Sequence, residues 1–150
     1  MKIYTKEACF QNGFGLQLRR HQMQKNEPEH LHEFVELVYI LSGEGIHGVN
    51  GVEYSVRRGS LLLINYRQPH YFRSDSEMEF CNILLDPHWV SEKLVEPDNV
   101  FELLSLAGFS DFRPVDTRQP LLRFRGEARN RIERLITEML AEQEKKEEQL

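Results

Sequence analysis

Cysteine is scarce in this chain. Cys9 and Cys81 are its only two, too few for a disulfide framework and spaced like no zinc motif, so two reduced thiols are expected. Long apolar runs are missing as well. Nothing approaches the roughly 20 apolar residues a membrane-spanning helix requires. The opening MKIYTKEACFQNG has neither an apolar core nor a small-residue cleavage site, so it does not read as a secretory signal peptide. A basic excess is also lacking: 19 Lys and Arg stand against 24 Asp and Glu, for a net charge of −5. The segment therefore lacks the electrostatic footprint of a nucleic-acid binder and is not expected to touch nucleic acid itself. Arginines gather between Arg113 and Arg134, but flanking acids largely offset them, and a solvated helix face is the expectation. No repeat of fixed period is present. What remains is a cytoplasmic chain of 150 residues, 40% apolar, long enough for one domain with a core.

Hydrophobic patterning divides the chain in three. Residues 1–13 read as an irregular N-terminal arm. Residues 14–86 carry seven or eight short strand candidates separated by turn signals, the pattern of a sandwich or barrel. FGLQLRRHQMQ alternates and KNEPEH reads as a polar turn. Residues 30–41 give the strongest strand, with His30, His32, Phe34, Glu36, Val38 and Ile40 on one face and Val35, Leu37, Tyr39 and Leu41 on the other. Both faces are apolar in part, so this strand is central or its outer face meets a helix or a partner. Asn50-Gly51 is the preferred centre of a two-residue hairpin. SLLLIN, HYFRS and MEFCNILLD read as three further strands. Residues 87–150 form a helical extension: Asp86-Pro87 is a helix start, DNVFELLSLAG a short helix, FSDFRPVDTRQPLLRF a loop, and Gly126 onward a long helix. Ala128, Ile132, Leu135, Ile136, Met139 and Leu140 follow helical spacing along it, and its polar tail is expected to fray.

The chemistry concentrates in His-x-His-x-x-x-Glu, at His30, His32 and Glu36, and in His70 on a later strand. Period-2 alternation aims the first three to one side. Three imidazoles and a carboxylate make a metal site, suited to zinc, nickel, manganese or iron, or a metal-free polar pocket whose members must find partners to offset burial. Phe34, Val38 and Phe72 share the inward face as core or pocket wall. His21, His47 and His88 read as surface or packing residues, Tyr39 and Tyr66 as packing or rim, and Arg67 as an exposed turn residue. The Ile132–Leu140 stripe packs on the barrel or on a partner helix.

The order of these features, from His30 through Gly43, a hairpin, Gly59 and His70, resembles the two motifs of the cupin superfamily between Glu29 and Phe80. Asn65, Arg67 and Ser74 depart from the usual residues of the second motif. The resemblance implies a mainly β fold, a small antiparallel jelly-roll-like barrel followed by α-helices, with His30, His32, Glu36 and His70 as its metal ligands. HLHEFVELVYILSGEGIHGVNGVEYSVRRGSLLLINYRQPHYF is similar, more narrowly, to the N-terminal effector-binding domain of the AraC/XylS family of bacterial transcription regulators. That resemblance implies a small-molecule effector such as a sugar or other polar metabolite, a homodimer through the helices after the barrel, an arm that covers the ligand, and DNA contact through a helix-turn-helix domain that this chain does not contain. The chain is then a piece of a longer regulator or a standalone sensor. Two other functions fit the residues: a metal-dependent cupin enzyme of dioxygenase or isomerase type, and a dimerisation module with a vestigial pocket.

Overall fold

The computed structural model describes residues 1–10, 15–86 and 120–148. The helices expected after Asp86-Pro87 and across DNVFELLSLAG lie outside the described residues, as does His88. The described elements are β1 (Lys2–Tyr4), α1 (Lys6–Cys9), β2 (Leu16–His32), β3 (Val35–Ser42), β4 (Glu44–Val49), β5 (Val52–Arg57), β6 (Ser60–Ile64), β7 (His70–Leu85), β8 (Leu121–Arg123) and α2 (Gly126–Glu148). The strands form one sheet in the order β1-β2-β7-β3-β6-β8, with the β4–β5 hairpin attached through β4 to β7.

β7 is the spine of this sheet. β2 runs antiparallel to it from Leu16↔Leu85 to His30↔His70. On its other edge β3 pairs with its C-terminal half and β4 with residues 70–73. The sheet must be strongly rolled. Glu36 pairs with Leu84 near one end of β7, yet its carboxylate lies 3.4 Å from the ring of His70 at the other end. A flat strand would hold those two ends of β7 roughly 45 Å apart. Register shifts at three places in β2, between His21 and His30, supply part of the bend. The expected small barrel is thus a rolled sheet whose hydrogen-bonded path does not close among the described residues. It is mixed rather than purely antiparallel, because β1 runs parallel to β2.

Five boundaries differ from the sequence reading. The arm is not irregular in its first ten residues: β1 pairs with residues 30–32, and Thr5 caps α1 by accepting the Ala8 N–H. KNEPEH is not a turn. Pro28 sits inside β2, where the register shift between Glu27 and His30 spares the ladder a donor that proline lacks. Residues 30–41 are two strands broken by a bend at Glu33 and Phe34. The Glu33 N–H donates to the Tyr4 carbonyl and the Arg67 N–H to the His32 carbonyl, which ties the end of β2 to the arm and to the turn before β7. HYFRS and MEFCNILLD join into the single strand β7, and the loop expected up to residue 124 ends in β8, paired with β6.

The Asn50-Gly51 hairpin forms as expected, with Val49 opposite Val52 and both turn residues at positive φ (50° and 85°). Gly59 (φ 94°) is also required: a Cβ there would meet the Phe124 carbonyl oxygen at 2.5 Å. Inside the roll, Val38, Ile40, Val49, Val56, Leu62, Ile64, Phe72, Met78 and Phe80 form the main core. Outside it, Leu18, Tyr39, Leu61, Cys81 and Ile83 pack against Ile136 of α2, flanked by Ile132, Met139 and Leu140. This explains why both faces of β3 are apolar: one fills the roll and the other is covered by the helix. The Ile132–Leu140 stripe therefore packs on the barrel, except for Leu135, which is exposed. Gln143 extends the latch, accepting the Leu18 N–H at 2.7 Å and donating to the Leu18 carbonyl at 2.8 Å, and α2 stays helical through Glu148 rather than fraying.

Candidate functional site: a buried histidine–carboxylate cluster

The fold brings His30, His32, Glu36, His47 and His70 together, each no more than 5% exposed. β2 delivers His30 and His32 at its last residues, β3 delivers Glu36 just past the bend, and the start of β7 delivers His70 beside His30. His32 Nδ1, His70 Nε2 and Glu36 Oε2 form a nearly equilateral triangle. Its edges are 3.2 Å between the imidazole nitrogens, 3.2 Å from His32 to Glu36 and 3.4 Å from His70 to Glu36. His30 is turned slightly away. Its Nδ1 lies 2.8 Å from the Pro28 carbonyl, to which it donates, and its Nε2 lies 3.1 Å from Glu27 Oε1. One nitrogen of each of His30, His32 and His70 lies within 4.8 Å of the others, so these three buried imidazoles could hold a metal ion.

Burial governs the charges here. It pushes the Glu36 carboxyl up to about 8, with the Glu27 carboxylate adding to the rise and Arg19 opposing it. It pushes His32 down to about 3, helped by His30 and His47, and His47 down to about 3. His70 is held well below its ordinary value, first by burial and then by His47, His30 and His32. At neutral pH Glu36, His32, His47 and His70 are thus neutral, which avoids the cost of buried charge. One atom remains unsatisfied. Glu36 Oε2 is buried without a hydrogen bond, because its close imidazole neighbours are near in distance but not aligned as donors. A buried oxygen without a partner costs on the order of 1–3 kcal/mol. The fit to a cation is direct: two donors bound to one ion at about 2.1 Å stand about 3.0–3.4 Å apart for angles between right and tetrahedral.

Three residues of this site escape a sequence reading. His47, taken for a surface or packing histidine, is buried, and its Nε2 lies 2.9 Å from His70 Nδ1 with the rings parallel. Counting back by two from Val49 at the Asn50-Gly51 turn puts it on the inward face, and that was the available signal. Glu27 lay in a segment read as a turn. Tyr4 comes from the arm; its ring centroid is 5.3 Å from that of His30 and 5.5 Å from that of His32. The apolar candidates separate. Val38 and Phe72 pack in the main core, whereas Phe34 leaves that face at the bend and is buried with Cys9 and Leu84, stacking obliquely on His32. His21 stacks on Phe80, and Arg67 is an exposed turn residue at φ 56°. Both cysteines are free and buried, and burial pushes Cys81 up to about 11, as suits an inert thiol.

A rolled β-sheet around a buried cluster of histidines and a carboxylate, with a helix packed on its outer face, defines a small cupin-like domain. The chain belongs to the AraC-like ligand binding domain family, which it matches over residues 15–150. It is 30% identical over 84 residues to the HTH-type transcriptional activator RhaR of Pectobacterium atrosepticum, covering 56% of this chain and 30% of that protein. It is 35% identical over 57 residues to the HTH-type transcriptional activator RhaS of Yersinia pestis, covering 38% of this chain and 21% of that one. The chain thus spans less than a third of the length of these curated relatives. Among solved structures it is similar to a cupin protein of Bacteroides fragilis, at 21% identity and a TM-score of 0.42, covering 54% of this chain and 69% of that chain. No described helix is long and apolar enough to cross a membrane.

Proposed function

We propose that this chain is the effector-sensing part of a cytoplasmic bacterial transcription regulator of AraC/XylS type. It binds a small polar metabolite, such as a sugar, at the histidine–carboxylate cluster, and DNA is read by a separate helix-turn-helix domain. The observation that carries this reading is the triangle of His32 Nδ1, Glu36 Oε2 and His70 Nε2 closed over by Tyr4 of the arm. We further propose that this triangle, with His30 as a fourth donor, holds one divalent ion (zinc, nickel, manganese or iron). The ion would supply Lewis-acid attraction for a hydroxyl or carboxylate of the effector. His47 positions His70: for Nε2 to offer a lone pair, the proton must sit on Nδ1 and be donated to His47 Nε2.

The arm is the transmitting element. β1 pairs with residues 30–32, so a ligand at His30 and His32 competes with or reinforces the contacts of Tyr4. A ligand shifts this equilibrium only by its differential affinity for the arm's two placements. Homodimerisation belongs to the proposal as well. Because most of the apolar stripe of α2 is spent on the barrel, a dimer would use the exposed side around Leu135. The test is calorimetric titration of the metal-loaded chain with polar metabolites, alongside His32→Ala and Glu36→Gln. Saturable binding that either substitution weakens at least tenfold supports the reading; binding unchanged in both refutes the site. The same donor triangle favours one other reading, a metal-dependent cupin enzyme of dioxygenase or isomerase type. Catalytic turnover of a bound metabolite by the metal-loaded chain would favour that reading over a sensor.

A further inference from the structure

At the end of the β4–β5 hairpin opposite the Asn50-Gly51 turn, the described residues line a cavity of about 480 Å³ that shares none of the histidine-site residues. Five arginines line it: Arg57 at the end of β5, Arg58 in the following turn, Arg123 at the end of β8, Arg125, and Arg129 in the first turn of α2. One carboxylate, that of Glu44, lines it with them. In a chain of net charge −5, this is a strong local concentration of positive charge. Glu133 neutralises Arg58 at 2.8 Å. Among the described residues no carboxylate forms an ion pair with Arg57, Arg123, Arg125 or Arg129. Arg123 donates to the Ser55 carbonyl at 3.0 Å, whereas the buried Nε of Arg129 has no hydrogen-bond partner at all. The sequence suggested that flanking acids offset Arg123, Arg125 and Arg129 along a solvated helix face. The fold instead gathers them with Arg57 and Arg58 from two strand ends, a turn and a helix start. The N-terminus of the 23-residue α2 opens at the same place and adds potential of the same sign.

Like charges held in a concave site repel one another and favour a counter-anion. Guanidinium groups recognise phosphate and carboxylate through paired N–H donors, and a cluster of several favours a dianion over a monoanion. The volume suits a small molecule, and the net charge of −5 of the whole chain disfavours a long polyanion. We propose that this cleft is a second ligand site, independent of the histidine cluster, that binds the phosphoryl group of a small phosphorylated metabolite or inorganic phosphate itself.

The test is calorimetric and thermal-shift titration of the whole chain at constant ionic strength. The probes are inorganic phosphate, a hexose 6-phosphate, the unphosphorylated hexose and a short DNA duplex. The variants are Arg57→Gln/Arg125→Gln, both exposed, and Glu36→Gln. The proposal expects saturable binding of phosphate or the sugar phosphate that weakens at least tenfold in the double arginine variant. It also expects that variant to melt no lower than the parent without anion, because repulsion has been relieved. Stronger binding of the sugar phosphate than of phosphate identifies a metabolite as the ligand; equal binding identifies the free ion. Glu36→Gln should keep the phosphate response, which separates this site from the effector pocket. Three results would overturn the proposal: phosphate acting no more strongly than chloride at equal ionic strength, the double variant binding like the parent, or the duplex binding more tightly than the sugar phosphate with the same arginine dependence.

Discussion

Replacing Glu36 by Gln should stabilise the metal-free protein, and by more as pH rises. Glu36 is buried, its Oε2 lacks a hydrogen bond, and its carboxyl is raised from 4.5 to about 8 in the fold. Between those values the folded chain keeps a proton that the unfolded chain has lost. The unfolded state binds fewer protons, so stability falls with rising pH at about 1.4 kcal/mol per pH unit. Accumulated from pH 4.5, the loss reaches about 3 kcal/mol at pH 7 and levels off near 5 kcal/mol above pH 8. Glutamine has nearly the same shape and does not titrate. The difference in unfolding free energy between Glu36→Gln and the parent should therefore be flat below pH 4.5, widen through pH 8 and flatten again. Urea denaturation of chelator-treated protein at half-unit steps from pH 4 to 9 measures this directly. Two parallel stability curves would refute the reasoning, because they would mean that Glu36 titrates in the fold as it does in the unfolded chain.

Three other outcomes follow from the same geometry. Binding of zinc at pH 7 should release most of one proton per ion, since the ligand must be a carboxylate and Glu36 begins mostly protonated; calorimetry in buffers of different ionisation enthalpy counts it, and a count near zero would contradict it. His47→Ala should weaken metal affinity by about 10- to 100-fold, while His47→Gln, which can still accept from His70 Nδ1, should retain most of it; competition against a chelator reads both, and equal losses in the two variants would make His47 a packing residue only. Tyr39→Phe should cost about 1–2 kcal/mol, because Tyr39 is fully buried and its hydroxyl donates to the Glu133 carboxylate at 2.7 Å; an unchanged urea midpoint would show that this link between barrel and α2 contributes nothing.

The fold class was legible because local signals and tertiary structure agree. Asn50-Gly51 reports its own hairpin, SLLLI can only be a strand covered on both sides, and the two apolar faces of 35–41 announced a cover that turned out to be α2. The breaks at residues 28 and 33 were not legible. Pro28 reads as a turn unless β2 carries an extra residue there, Pro28 and Glu29 standing opposite Tyr71 alone, and that bulge shows only once β2 is paired with β7, far away in sequence. The same bend at Glu33 and Phe34 moved Phe34 to a different core cluster from Val38 and Phe72. The histidine spacing brought His30, His32, Glu36 and His70 to attention, yet it gave no sign of Glu27, which faces His30, or of Tyr4 above the rings. His47 could have been found by counting along β4. The arginine cleft was hidden for another reason: its members are spread over β5, β8 and α2, and only the fold shows that they meet.

Metal binding by the histidine–carboxylate cluster is tested most directly by elemental analysis of the purified chain, with its melting temperature measured before and after chelation and after return of zinc, nickel, manganese or iron. About one divalent ion per chain is expected, with a lower melting temperature without it, recovery when it is restored, and none of these in Glu36→Gln. A metal-free protein whose melting temperature responds to none of the four ions would contradict it.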